Sequence, residues 1–147
     1  MNEKEFEKFL HVNIPITKAM EFKFLEYSPK RVRISARLEP NVNDKGTGFG
    51  GSISTLMTLC GWAMATKIMA LEDPKAQVVV QSSKINYLKP VTGDFTADCS
   101  LEDGAAVKEF LETYRTRKKA RLKLKVDCYD GWVKTAEYEG KYVALGR

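Results

Sequence analysis

Alternation between apolar and polar positions dominates the second half of the chain. Phe95, Ala97, Cys99 and Leu101 alternate with Asp94, Thr96, Asp98 and Ser100, and Ala120, Leu122, Leu124, Val126 and Cys128 alternate with Lys119, Arg121, Lys123, Lys125 and Asp127. A period of two is that of a strand with one covered face. The same period runs through Phe22 and Phe24 and, past the turn Ser28-Pro29-Lys30, through Val32, Ile34, Ala36 and Leu38, which predicts a half-buried hairpin. Val78, Val79 and Val80, then Ile85 and Tyr87, read as strand, and Asp130-Gly131 as a tight turn into a last strand over 132–145. Helical spacing appears at Phe6, Phe9 and Leu10 before Pro15, and again at Val107, Phe110, Leu111 and Tyr114 behind Asp103, a candidate cap. Between the two hairpins a long apolar segment, from about Ser52 to Ala70, predicts a buried helix.

The predicted order is helix, two strands, long helix, two strands, short helix, two strands. Alternating patterns of this kind belong to antiparallel sheets, and a sheet wrapped around one long central α-helix buries both most economically. That is an α+β arrangement of the hotdog type. At 147 residues the chain is expected to be a single domain, 1–147, able to build a core without disulfides or metal. The three cysteines, Cys60, Cys99 and Cys128, each fall inside an apolar pattern, so buried thiols in a reducing compartment are expected. Neither a CxxC nor a Cys/His cluster suggests zinc. Residues 1–10 carry mixed charge rather than a secretory signal, and 53–70 is too short and too interrupted by Ser54, Thr55, Thr58 and Lys67 for a membrane span. A cytoplasmic location is expected.

The segment before the long helix carries the candidate chemistry. Asn43-Asp44-Lys45-Gly46-Thr47-Gly48-Phe49-Gly50-Gly51-Ser52 is glycine-rich, which permits unusual backbone angles and close approach of a ligand, and it leads into a helix start with unpaired N–H groups. Such a start suits a negative oxygen, either a phosphate or the oxyanion of a carbonyl under attack. Gly46, Gly48 and Gly51 also satisfy G-x-G-x-x-G, but Pro40 and the intervening loop separate them from the preceding strand, and the later strands alternate rather than forming buried parallel runs. His11 is the only histidine and is expected to be a solvated helix residue. Its place argues against a hotdog dehydratase of the His and acidic-residue type and against a Ser-His-Asp hydrolase, for which Gly-x-Ser-x-Gly is missing as well.

Asn43, Gly46-Thr47, Phe49-Gly50-Gly51-Ser52, Leu56, Thr58-Leu59 and Gly61-Trp62 together resemble the thioesterase-like C-terminal domain of YiiD-type proteins. Ile85-Asn86-Tyr87-Leu88-Lys89-Pro90-Val91 with Gly93, and Arg117-Lys118-Lys119-Ala120-Arg121 with its strand, extend the resemblance over nearly the whole chain. The acetyltransferase domain that precedes this unit in YiiD-type proteins has no counterpart in these residues, so a stand-alone version is expected. The resemblance implies a hotdog fold, a homodimer or higher homo-oligomer, and acyl thioesters of coenzyme A or acyl carrier protein as substrates. No cofactor is implied beyond the coenzyme A or phosphopantetheine of the substrate. Many hotdog acyl-CoA thioesterases carry His before the Gly-Gly pair and an acidic residue about two helical turns later. Phe49 and Thr58 stand in those positions here.

On this reading Gly50 and Gly51 offer N–H groups to the thioester oxygen, and Asn43 orients the carbonyl or the attacking water. Thr58 holds a water but, with an alcohol's pKa, is no unaided base at pH 7. Gly46, Thr47, Phe49, Ser52, Ser54, Ser82 and Ser83 are expected to line the substrate site. Ser54, Thr58, Gly61 and Ala65 share one small-residue face that a partner helix, a pantetheine arm or strands of the same chain could approach. The net charge of +5 and a pI near 9.1 favour anionic partners. The run Arg115, Arg117, Lys118, Lys119, Arg121, Lys123 and Lys125 either attracts coenzyme A phosphates or an acidic carrier, or is the wet face of the sheet. Aromatic residues are not interleaved with it, which argues against nucleic acid.

Overall fold

A computed structural model describes residues 1–146. Helix α1 (Glu3–Asn13) opens with a reciprocal cap in which Asn2 accepts from the Glu5 N–H and Glu5 accepts from the Asn2 N–H, both at 2.9 Å. Pro15 then allows only one further turn, α2 (Ile16–Ala19). The first hairpin pairs β1 (Phe22–Tyr27) with β2 (Arg31–Ala36), and a short 3₁₀ turn, Glu39–Asn41, leads to the glycine loop. The central helix α3 runs Gly50–Met69, two residues earlier than the apolar pattern alone suggests, because Phe49 is already extended and serves as its N-cap. Strands β3 (Gln77–Tyr87) and β4 (Phe95–Ser100), helix α4 (Gly104–Arg117), and strands β5 (Lys119–Asp130) and β6 (Val133–Leu145) complete the chain. Asp103 caps α4 as expected, its carboxylate accepting from the Ala105 and Ala106 N–H groups.

The six strands form one antiparallel sheet in the order β1-β2-β4-β5-β6-β3. The two valine and isoleucine-tyrosine segments after α3 are one strand, bent by a bulge at Gln81 where the register shifts between Val80 and Ser82. The sheet wraps α3, whose Leu56, Met57, Cys60, Met64 and Ile68 are fully buried against Ile34, Phe95, Tyr142 and their neighbours. Burying such a helix on nearly every side requires the near-continuous apolar composition seen from Ile53 to Met69. All three cysteines are free and buried in this core.

Close approach to the small-residue face of α3 comes from the same chain. A side chain at Gly61 would collide with the ring of Tyr142 on β6, whose hydroxyl donates to the Thr58 carbonyl at 2.9 Å. His11 departs from expectation: it is half-buried, set edge-on against Phe22 with ring centroids 5.4 Å apart, and its Nε2 is enclosed without a partner. The aromatic cluster at the base of α1 draws it inward. Among the described residues no helix is long and apolar enough to cross a membrane.

Candidate functional site

The glycine loop is built around Asn43. Its side-chain oxygen accepts from the Lys45 and Thr47 N–H groups at 2.8 and 3.1 Å, and its amide nitrogen donates to Thr47 Oγ1 at 2.8 Å and to the Gly48 carbonyl at 3.4 Å. Asn43 therefore spends its amide inside the loop, as Asx turns do. Gly46 takes φ 82°, a left-handed angle that L side chains rarely adopt. Gly48 lies so close to Val91 that an added Cβ would sit 2.8 Å from the Val91 Cβ, and its N–H donates to the Val91 carbonyl at 2.8 Å. Buried Asn41 fixes the loop from beneath, donating to the Met20 and Arg37 carbonyls at 2.9 and 2.8 Å and accepting the Phe49 N–H on its own carbonyl. Sequence reasoning did not single out Asn41, because it lies in no periodic pattern and its contact with Met20 comes from a separate segment.

The start of α3 leaves backbone donors free. Phe49 caps α3 without a side-chain hydrogen bond, and Ile53 N–H closes the first turn on the Phe49 carbonyl, so the Gly50, Gly51 and Ser52 N–H groups have no partner among the described residues. The Tyr87 hydroxyl donates to the Gly50 carbonyl at 2.9 Å, tying the end of β3 to this turn. A side chain at Gly51 would meet the ring of Phe49, itself 55% exposed. The helix dipole adds its positive end to the three donors.

Beyond this turn a mostly apolar groove of about 500 Å3 runs beside α3, lined by Ser54, Thr55, Thr58, Leu59 and Trp62 and walled by Val78–Val80 and by the α1–α2 connection. Ser54 and Thr55 donate to the Gly51 carbonyl at 3.1 and 2.7 Å, and Thr58 to the Ser54 carbonyl at 2.8 Å. Gly46, Thr47, Phe49, Gly50, Gly51, Ser52, Ser54 and Thr58 thus gather around one loop, one helix start and the first turns of α3. Ser82 does not join them. It pairs with Lys141 and shares the outer face of the sheet with Lys123, while the neighbouring Tyr142 and Gly140 point to the helix, so the bulge at Gln81 sets it on the side away from α3. Ser83 pairs with Gly140 on the helix side but is exposed and outside the groove lining.

The only carboxylate on the loop, Asp44, is 81% exposed and paired to Lys45 at 3.1 Å. Tyr142 reaches α3 from β6: burial, and then the hydroxyl of Tyr138 at 2.8 Å, drive its phenol well above the usual range, so it stays protonated as a donor to the Thr58 carbonyl. Among the described residues no group of three or more His, Cys, Asp or Glu is placed to hold a metal. The basic run lies on α4 and along the outer face of β5, where Arg115 pairs with Glu72 at 2.7 Å and Lys123 with Glu139 at 3.7 Å.

Residues 3–146 match the family described as "Putative thioesterase (yiiD_Cterm)". Among solved structures, a protein of unknown function from Chlorobaculum tepidum superposes with a TM-score of 0.92 at 27% identity, over 99% of this chain and 94% of that one. A "putative thioesterase" from Shewanella oneidensis gives 0.86 at 29% identity, over 98% and 97% of the two chains. A Pseudomonas aeruginosa protein described as a "probable thioesterase" shares the fold with a TM-score of 0.82 at 20% identity, over 98% and 96%. With the antiparallel sheet closed around α3 and nearly every residue matched, the chain belongs to the YiiD C-terminal thioesterase family and has its hotdog fold.

Proposed function

We propose that this protein hydrolyses acyl thioesters of coenzyme A or acyl carrier protein, with the thioester oxygen held at the start of α3. The observation that carries this reading is the set of three unpartnered N–H groups at Gly50, Gly51 and Ser52, in the helical turn that precedes a mostly apolar groove beginning at Ser54. When water adds to the carbonyl carbon, negative charge gathers on the carbonyl oxygen, and donors already fixed toward that position stabilise it without reorganising. Collapse breaks the C–S bond, the sulfur leaves with the electron pair and takes a proton, and the acid keeps the water's oxygen. Asn43 acts through the loop it organises, and Phe49 folds over Gly51 as a movable cover.

The working unit on this reading is a homodimer. Strand β3 is a sheet edge of 11 residues whose Val79, Val80 and Tyr87 are 47%, 43% and 52% exposed; even with the bulge at Gln81 and with Lys84 on it, a free edge of this length offers backbone groups to another strand. Pairing β3 with its copy places two helix starts beside one seam, since Tyr87 joins β3 to Gly50.

The test is thiol release from a panel of acyl-CoA and acyl-carrier thioesters by the wild type, Gly51→Val and Asn43→Ala. Gly51→Val keeps the backbone N–H but crowds the approach of the carbonyl oxygen to it; losing the use of one oxyanion donor costs about a hundredfold or more in kcat, and unfolding is expected to change little because the atoms nearest the new side chain belong to the exposed Phe49 ring. Full activity in Gly51→Val overturns the site. A second reading, a non-catalytic acyl-thioester binder, is favoured by the commitment of the Thr58 hydroxyl to Ser54 and by the absence of a carboxylate from the lining of the groove. Calorimetric binding of a non-hydrolysable acyl-CoA without any thiol release selects it.

A further inference from the structure

Trp62 is the last residue of α3 to line the groove, and nothing in hydrolysis itself requires an aromatic wall there. The indole N–H donates to the Val78 carbonyl at 2.7 Å, and the ring stacks on Phe6 with centroids 5.7 Å apart and planes 15° from parallel. A ring held at both edge and face is a fixed wall. The other wall atoms are chemically dry. Ser54, Thr55 and Thr58 have each given their only hydroxyl proton to a helix carbonyl, and the facing strand contributes valines. Among the described residues no charged side chain lines the groove. A pantetheine arm, with two amides to satisfy, gains little here, whereas a polymethylene chain loses nothing by entering.

We propose that the groove holds the linear acyl chain of the thioester and that Trp62 sets its maximum length, a specificity that rests on the thioester reading above. The distance follows from helix geometry: Gly51 and Trp62 are eleven residues apart on α3, a rise of about 16 Å, the reach of an extended chain of about ten to twelve carbons. Each methylene moved from water to an apolar wall tightens binding roughly fourfold. Affinity therefore climbs with chain length until the terminal methyl meets the indole, then levels off.

Binding of S-alkyl-CoA thioethers, which cannot be hydrolysed, tests this apart from turnover. Trp132, fully exposed at the β5–β6 turn, is the only other tryptophan, so Trp132→Phe leaves Trp62 as the sole reporter. With butyl- to hexadecyl-CoA, affinity should rise roughly fourfold per methylene up to decyl or dodecyl and then plateau, and Trp62 emission should move to shorter wavelength only for chains that reach it. Trp62→Leu should move the plateau to hexadecyl. Val80→Phe, which narrows the groove at a half-exposed strand position, should move it to shorter chains, and this keeps the test alive if Trp62→Leu fails to fold.

Affinity independent of chain length overturns the proposal even if thioesters are hydrolysed. A length plateau with no thiol release from any thioester upholds the groove and refutes the hydrolase instead. Trp62 emission that follows protein concentration and ignores the thioethers assigns the groove to a second copy of the chain, which also overturns it.

Discussion

Gly61 is the residue whose replacement is most sharply constrained. An added methyl there runs into the Tyr142 ring, whose hydroxyl is fixed between Tyr138 and the Thr58 carbonyl. Overpacking of this kind costs about 1–3 kcal/mol, and Gly61→Ala should lower the urea midpoint accordingly. Because the nearest atom is the hydroxyl oxygen, Tyr142→Phe should recover part of that loss, giving a favourable coupling in a double-mutant cycle. The three buried thiols give a second residue-level expectation. Burial pushes the Cys60 and Cys128 thiols up and the Cys99 thiol up to about 12, so none should react with a disulfide reagent at pH 8 in the folded protein and all three should after denaturation.

Residue identity was legible in the sequence to different depths. Gly46 and Gly51 could be read locally, since a left-handed angle and a helix start are properties of short segments. Ser82 could not: a single bulged residue turns the strand over, and alternation on either side gives no warning of it. Tyr87 reaches the loop from 37 residues away and Asn41 ties it to Met20, 21 residues away, both beyond any periodic signal.

At the scale of elements, the end of α3 is clamped to α4. The Tyr114 hydroxyl donates to Asp73 at 2.5 Å, beside the Arg115–Glu72 pair. The Tyr114 hydrogen bond, and then the Lys75 N–H, hold the Asp73 carboxyl below its ordinary value, and Asp73 in turn lifts the Tyr114 phenol to about 12. The signs differ at the two ends of the pH range. A depressed carboxyl contributes stability above its unfolded value near 3.8 and loses it as pH falls through the folded value; a raised phenol contributes below its unfolded value near 10 and loses it as pH climbs toward about 12. Tyr114→Phe should flatten the alkaline limb of stability against pH and soften the acid limb, as read from urea midpoints across both ranges. The cap and stripe of α4 were visible locally, because Asp103, Phe110 and Tyr114 are spaced as a helix requires. Its partner at the end of α3 was not.

For the whole molecule, the open question is what covers β3. Ser83 lies near the middle of that strand, so in an antiparallel β3–β3 pairing Ser83→Asp sets two like charges close to one another across the twofold axis. Sedimentation equilibrium should show the wild type as a dimer and Ser83→Asp shifted toward monomer; an unchanged mass would move the interface off this edge. Fold class could be read from the sequence because helix and strand periods are local and a single long apolar helix leaves few packings. Strand order could not, since β3 follows α3 in the chain yet joins the sheet beside β6.

That placement governs how the chain must assemble as it is made. Strand β3, with its run Val78-Val79-Val80, is synthesised well before β6, the one strand that pairs with it. Until β4, α4, β5 and β6 have all been added, an apolar, high-propensity strand waits without a neighbour, and closure depends on contacts distant in sequence, which form slowly. The groove beside α3 is completed only when β6 fixes β3 in place, so a nascent chain released before β6 carries an adhesive edge and no finished place for a stabilising ligand.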